Sequence, residues 1–440
     1  MDRVAKTPTA TGSGLDSHRE SKLNRNLIAL FLLGAVTACA HADWKLVATG
    51  GPDVRYESGI CYDSSRGVTV MFGGSNFGGL LNDTWEWNGT QWTQTATTGP
   101  VPGPRSMAYF AYDSDRKVTL MYGGYGSGIN GAMNAETWEY IGTKWTQMNV
   151  QGPSGRQGGG MAYDPIHHVM VLFGGSVARD GSGIVNQTWT WNGTQWTLAS
   201  TTGPSARYNF SMAYDSMRQR VVLFGGSDAN QNELGDTWEW NGAQWIQTSD
   251  QDILPRAEFG IVYDSSMNRT VMFGGLIGSE SGPTLAGMET WDGNTWRSVQ
   301  TQQSGVPAMR NPGLSYDSKR DRIVMFGGEK SNGNYDFVNT TWEWVPEPVP
   351  LTLHLPSLVG GKQGVGTVVL TGPAGADGTV VNFSCTKGSV TVTSFIRIPA
   401  GQSQGTFTYQ APKSLSAVST VQVTATVNNA SAVGILRIIG

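Results

Sequence analysis

The residues of this chain that could do chemistry divide into a set that repeats and a set that does not. Six arginines, Arg55, Arg105, Arg156, Arg207, Arg256 and Arg310, recur at steps of about fifty residues. They begin the innermost strand of each repeat and are expected to ring the mouth of a central channel, where their guanidinium groups would form a site for carboxylates or other anions. Held singly, each would pair with an acid or a carbonyl of its own repeat. A residue present in every repeat is expected to be scaffold, because ligands seldom share such symmetry. Positions where the repeats differ are better candidates for recognition: Tyr56, Glu57, Tyr125, Arg179, Asp180, Tyr208, Asn209, Asp228, Glu258, Glu329, Tyr335 and Asp336. Among them Glu57 and Glu258, with an arginine, are the parts needed for acid–base work.

Other chemistries lack their residues. The chain has five histidines. His18 and His41 lie near the N-terminus, His167 and His168 share one short turn, and His354 lies beyond the repeats, so no Ser–His–Asp site can be assembled. Three cysteines exclude a cysteine metal site by count. Cys61 and Cys385 fall on separate apolar strands and read as buried free thiols. The recurrent Tyr-Asp-Ser turns supply one carboxylate each, too few for calcium. No metal and no cofactor is expected.

The elements that must position these residues follow from the repeat. Gly-Gly pairs begin at Gly73, Gly123, Gly174, Gly225, Gly274 and Gly327, in phase with Tyr-Asp pairs at Tyr62, Tyr112, Tyr163, Tyr214, Tyr263 and Tyr316. Within a unit, the residues before Tyr-Asp alternate large and small, as in Ile60-Cys61 and Phe110-Ala111, which is strand periodicity with tapering space. A continuous apolar run such as Val68 to Phe72 follows and reads as a strand buried on both faces. After Gly-Gly and a variable loop come a Trp-bearing strand (Trp85, Trp138, Trp189, Trp238, Trp342), a hairpin turn such as Asn88-Gly89, and a last strand opened by Trp92, Trp145, Trp196, Trp245 or Trp296. Unit five departs, with Glu289 where the first Trp should stand. Unit six stops without its last strand, and the segment from Asp43 to Ala48 looks like that strand. It is expected to close the ring and remove open sheet edges.

Gly-Gly after an apolar strand, followed by Trp at these offsets, resembles the kelch repeat, most nearly the bacterial kind of galactose-oxidase-like propellers. The resemblance covers residues 43–345 and implies an all-β fold: a six-bladed kelch β-propeller closed by an N-terminal strand. Many such repeats carry a His three residues after the Arg; here those positions are Ser58, Ala108, Gly159, Phe210, Phe259 and Gly313. A copper radical site of the galactose-oxidase kind needs two Tyr, two His and a Cys joined to a Tyr, so copper oxidase chemistry is not expected. Similarity to periplasmic six-bladed kelch enzymes implies an alternative, a sialic-acid mutarotase, for which Glu57, Glu258 and the arginines would serve. The main expectation is a non-enzymatic binding protein that uses the face carrying the long variable loops.

Residues 1–42 read as an export signal: Lys22 and Arg25 precede the apolar run from Leu27 to Ala38. Ala40-His41-Ala42 offers cleavage before Asp43, while Val36-Thr37-Ala38-Cys39 resembles a lipobox that would lipidate Cys39. The expected location is therefore periplasmic, secreted or attached to the outer surface, with no membrane span in the mature chain. Residues 346–350 form a Pro-rich linker. Residues 351–440 lose Trp and alternate Val, Thr, Ser and Gly, with candidate strands Leu351 to Leu355, Gly366 to Leu370, Val380 to Cys385, Ser389 to Arg397, Gly405 to Tyr409, Val418 to Val427 and Ala432 to Ile439. Their number and shortness resemble an Ig-like β-sandwich, a spacer or adhesive module. A net charge of −4 gives no basic footprint for nucleic acid. The expected partner is an extracellular protein or a glycan, and the expected state is a monomer.

Overall fold

The computed structural model describes residues 43–439 except 127–132, 250–252, 279–281, 300–304, 331–335, 346–350 and, nearer the C-terminus, 360, 371, 375–377, 387–389, 412–418 and 428–429. Residues 1–42 with Cys39, where an export signal is expected, residues 346–350, where a linker is expected, and Tyr335 lie outside the described residues. Strands make up every regular element among the described residues, and no helix there is long and apolar enough to cross a membrane.

Six four-stranded antiparallel sheets carry the repeat. In the first, Gly59–Asp63, Val68–Phe72, Thr84–Trp87 and Trp92–Gln94 follow one another in order. The inner strands of the other five are Tyr109–Asp113, Gly160–Asp164, Ser211–Asp215, Gly260–Asp264 and Gly313–Asp317. Each inner strand packs against the next, and the last packs against the first. Local chemistry sets the turns. Asp63 Oδ1 accepts the N–H groups of Ser65 and Arg66, and Asn88 Oδ1 those of Thr90 and Gln91, so each side chain shapes the backbone beyond it.

Gly-Gly is the joint between sheets. The N–H of its second glycine donates to the backbone carbonyl at the start of the next inner strand: Gly74 to Arg105 O at 2.9 Å, and so round to Gly328 and Arg55 O at 2.9 Å. Gly73 has φ 64°, and a Cβ there would lie 2.6 Å from Arg105 O, so this approach tolerates only glycine.

The sixth sheet joins both ends of the repeat. Gly313–Asp317, Arg322–Phe326 and Thr341–Val345 are completed by Asp43–Ala48, with Trp44 opposite Trp344 and Leu46 opposite Trp342. The core lies between neighbouring sheets, where the apolar second strands are buried beside the last-strand tryptophans. Five of those tryptophans donate their indole N–H to a buried Thr of the preceding sheet: Trp92 to Thr341, Trp145 to Thr84, Trp196 to Thr137, Trp245 to Thr188 and Trp296 to Thr237, at 2.8–3.0 Å. Trp44 is the sixth. The corresponding position in the fifth sheet is Met288, and Trp44 Nε1 is buried without a partner.

The segment after residue 350 forms two further sheets. One orders Leu351–His354, Gln363–Leu370, Gln404–Gln410 and Thr391–Val392; the other Leu358–Val359, Ala430–Ile439, Ser419–Val427, Thr379–Cys385 and Phe395–Ile398. Two differences from expectation appear. The strand expected from Ser389 to Arg397 is two strands in different sheets, because the chain crosses between them at Thr393 and Ser394, whose backbones bond Thr408 and Phe383 respectively. Leu358–Val359 is an added strand, paired in parallel with Ile438 and Ile439. Cys61 and Cys385 are free thiols, as read, but both are partly exposed.

Candidate functional site

Five residues before each Tyr-Asp tyrosine, the chain adopts a left-handed conformation in every repeat: Glu57 (φ 57°), Met107 (53°), Gly158 (67°), Asn209 (55°), Glu258 (60°) and Asn311 (49°). That conformation is costly for all but glycine and, less so, asparagine. What it gains is a lateral bond. Met107 N donates to Glu57 O at 3.0 Å, Gly158 N to Met107 O at 3.1 Å, Asn209 N to Gly158 O at 2.6 Å, Glu258 N to Asn209 O at 2.8 Å and Asn311 N to Glu258 O at 2.6 Å. These five links run from Glu57 to Asn311 as a main-chain collar at one end of a cavity of about 510 Å³. Its wall continues down the inner strands to the Tyr-Asp tyrosines at the other end.

Charge at the collar is concentrated on one side. Glu258 is gripped from both flanks: its Oε1 accepts from Asn209 Nδ2 at 3.2 Å and its Oε2 from Asn311 Nδ2 at 3.1 Å. Arg310 Nη1 lies 3.6 Å from Glu258 Oε2, while its Nε and Nη2 meet Glu329 Oε2 at 3.0 and 2.8 Å. The Glu57 carboxyl is pushed up to about 8, chiefly by burial and then by the charge of Glu258, against the opposing pull of Ser106 and Arg310. At neutral pH Glu57 is therefore mostly protonated. Asn209 Oδ1 is buried and accepts no hydrogen bond.

The repeated arginines are elsewhere. Arg55, Arg105, Arg156, Arg207 and Arg256 are buried and bound within their own sheets. Arg55 forms a two-pronged bridge to Asp83 and donates to Gly73 O; Arg207 does the same with Asp236 and Gly225 O. Arg105 meets Glu136 at 2.6 Å, Arg156 meets Gln187 at 2.9 Å, and Arg256 lies 3.7 Å from Glu289. The expectation of six arginines ringing the channel mouth is thus corrected: none of the six lines the cavity. Arg310 is not even in the series. The sixth equivalent is Met309, fully buried, whose carbonyl receives Gly275 N as the arginine carbonyls receive theirs. Its acid partner is missing too, since Thr340 stands where Asp83 and Asp236 stand and accepts from Trp342 Nε1 at 3.1 Å. Sheet five rearranges the same pair. Gly287 takes the acid position, and Glu289, in place of the expected Trp, brings the carboxylate to Arg256.

Of the non-repeating candidates, Glu57, Asn209 and Glu258 meet at the cavity, and Glu329 joins them through Arg310. Tyr56 stacks on Phe337 at 4.5 Å, and Phe337 meets Phe77, which is 73% exposed. Tyr208 N and O bond the backbone of Ser227. The others sit in separate loops. Arg179 lies over the Tyr125 ring at 4.8 Å, Asp180 and Asp228 accept from backbone N–H groups of their own turns, and Asp336 faces Lys330 at 3.5 Å. Asn311 and Met107 were not anticipated. Their signal was positional: they share a column with Glu57, Asn209 and Glu258. No group of three or more His, Cys, Asp or Glu able to hold a metal occurs among the described residues.

Residues 160–348 match the family model of the KLHDC2/KLHL20/DRC7 Kelch-repeats domain. The fold is a kelch-type β-propeller. Among solved structures, one titled "Structure of YjhT" superposes with a TM-score of 0.54 at 12% identity, covering 67% of this chain and 96% of that one. At that identity the likeness speaks for the propeller fold alone. No curated protein matches the sequence.

Proposed function

We propose that this kelch propeller is an exported binding protein that takes a small carbohydrate ligand at the mouth of its central channel. In this reading residues 1–42 are the export signal, the six sheets of residues 43–345 are six blades closed by the N-terminal strand, residues 346–350 are a linker, and residues 351–440 are an Ig-like spacer. The mature protein would reside in the periplasm, outside the cell or on its outer surface, the last if Cys39 is lipidated. One observation carries the site: Glu57, Asn209, Glu258 and Asn311 converge on a cavity of about 510 Å³, a size typical of small-molecule sites. The repeated arginines and tryptophans support it by being consumed in holding blades together. Screening the mature protein on a glycan array, with Glu258→Gln beside it, tests the reading. A glycan signal lost in the variant is the expected result. A protein partner bound equally by both forms would overturn it.

A second reading has its own support. A carboxyl protonated at neutral pH beside an ionised one is the arrangement of a general acid and a general base. That favours a sugar-modifying enzyme of the mutarotase kind. Following anomer exchange by NMR separates the two: turnover abolished by Glu57→Gln or Glu258→Gln would establish the enzyme.

A further inference from the structure

The channel-mouth reading leaves the class of ligand open, and the polarity of the collar narrows it. Among the described residues, no lysine or arginine lines the cavity. Arg310, next to Asn311 in the chain, is engaged by the carboxylates of Glu329 and Glu258. The amide N–H groups of Asn209 and Asn311 are likewise directed to Glu258. What the collar brings to the cavity is therefore acidic: the carboxyl groups of Glu57 and Glu258, both on lining residues. Such a mouth repels carboxylate sugars and suits a ligand rich in donors.

We propose that the collar binds a monosaccharide bearing a primary ammonium group, the ammonium lying by Glu57 and Glu258. This rests on the channel-mouth reading and deepens it. An ammonium beside Glu57 supplies the positive charge that its carboxyl lacks, so the carboxyl ionises on binding and its proton passes to the buffer. The protonation state of the sugar amine does not change in this step.

Titration calorimetry of the mature protein with glucosamine, glucose and glucuronate, near pH 6.5 and in buffers of different ionisation enthalpy, tests the proposal. Glucosamine is expected to bind at least tenfold more tightly than glucose, and glucuronate more weakly than either. The buffer dependence should report release of close to one proton with glucosamine. In Glu57→Gln the proton release should vanish and glucosamine should fall to the level of glucose; comparison of the three sugars on the unmodified protein needs no variant to fold. Equal binding of glucosamine and glucose, or tighter binding of glucuronate, overturns the ammonium class while keeping the mouth as the site. If none of the three binds, the class is overturned too. The site itself falls only if a ligand found on the array binds Glu258→Gln unchanged.

Discussion

Replacing Thr237 with Val tests how the blades are tied together. Thr237 is fully buried and its Oγ1 accepts the indole N–H of Trp296, from the next blade, at 2.9 Å. Valine keeps the branched shape and removes the acceptor. The N–H stays buried, because Trp296 is only 4% exposed. An unpaired buried donor costs about 1–3 kcal/mol, and the added methyl returns part of that. The expected net loss is about 1–2 kcal/mol, which for a large domain lowers Tm by roughly 2–4 °C. Urea unfolding followed by circular dichroism measures it directly. Trp44 provides the contrast within the same molecule. Its Nε1 has no acceptor, since Met288 replaces the threonine. Trp44→Phe should then cost only lost packing and be milder than Trp296→Phe by about 1 kcal/mol. An unchanged Thr237→Val, or equal losses in the two Trp→Phe variants, would refute the argument.

Three further outcomes are expected. Arg207→Met strands Asp236 and should destabilise by about 3–5 kcal/mol, whereas Arg207→Met with Asp236→Thr reproduces the residue types of Met309 and Thr340 in the sixth sheet and should recover much of the loss; a double-mutant cycle in urea reads the difference. Asp264 lies where Met267 replaces the arginine that pairs with the equivalent Asp in four other sheets, and its carboxyl is pushed up to about 6 by burial and by Asp321. A carboxyl raised in the folded state favours folding below the unfolded value near 4, and that contribution, on the order of 3 kcal/mol, is lost as pH rises through about 6; Asp264→Asn should flatten the stability profile between these values. Trp44→Ala removes a side chain buried in the closing strand and should cost about 3–5 kcal/mol, read by thermal unfolding.

The blades were legible because two markers in phase, Gly-Gly and Tyr-Asp, have separate physical duties: one permits close backbone approach and the other begins a turn. The completing strand was legible from Trp44 and its neighbours for the same reason. The arginine series was misread at its last member. Counting seven residues back from each tyrosine reaches Arg five times and Met309 the sixth, whereas matching by residue type reaches Arg310. That one-residue offset moves a cation from between strands to the collar, where it meets Glu258 and Glu329. Half of the site was visible as variable residues. Asn311 was not: its type tolerates a left-handed backbone, but its place in the column is seen only by counting from Tyr316, and its link to Glu258 crosses between sheets. The collar is built from bonds between neighbouring repeats, and no single repeat displays it.

That collar separates aperture from identity. The width of the opening is held by carbonyl and amide groups, which every residue type carries, so exchanging the side chains at Glu57, Met107, Asn209, Glu258 or Asn311 need not move the rim. The backbone asks of these positions only that they accept a left-handed turn. A lineage can therefore change what enters the channel by a handful of substitutions at the collar, with Asn209, Asn311 and Arg310 changing alongside Glu258 where they bond it. Recognition and architecture become independently adjustable, which is the condition under which one scaffold diversifies into many binding proteins.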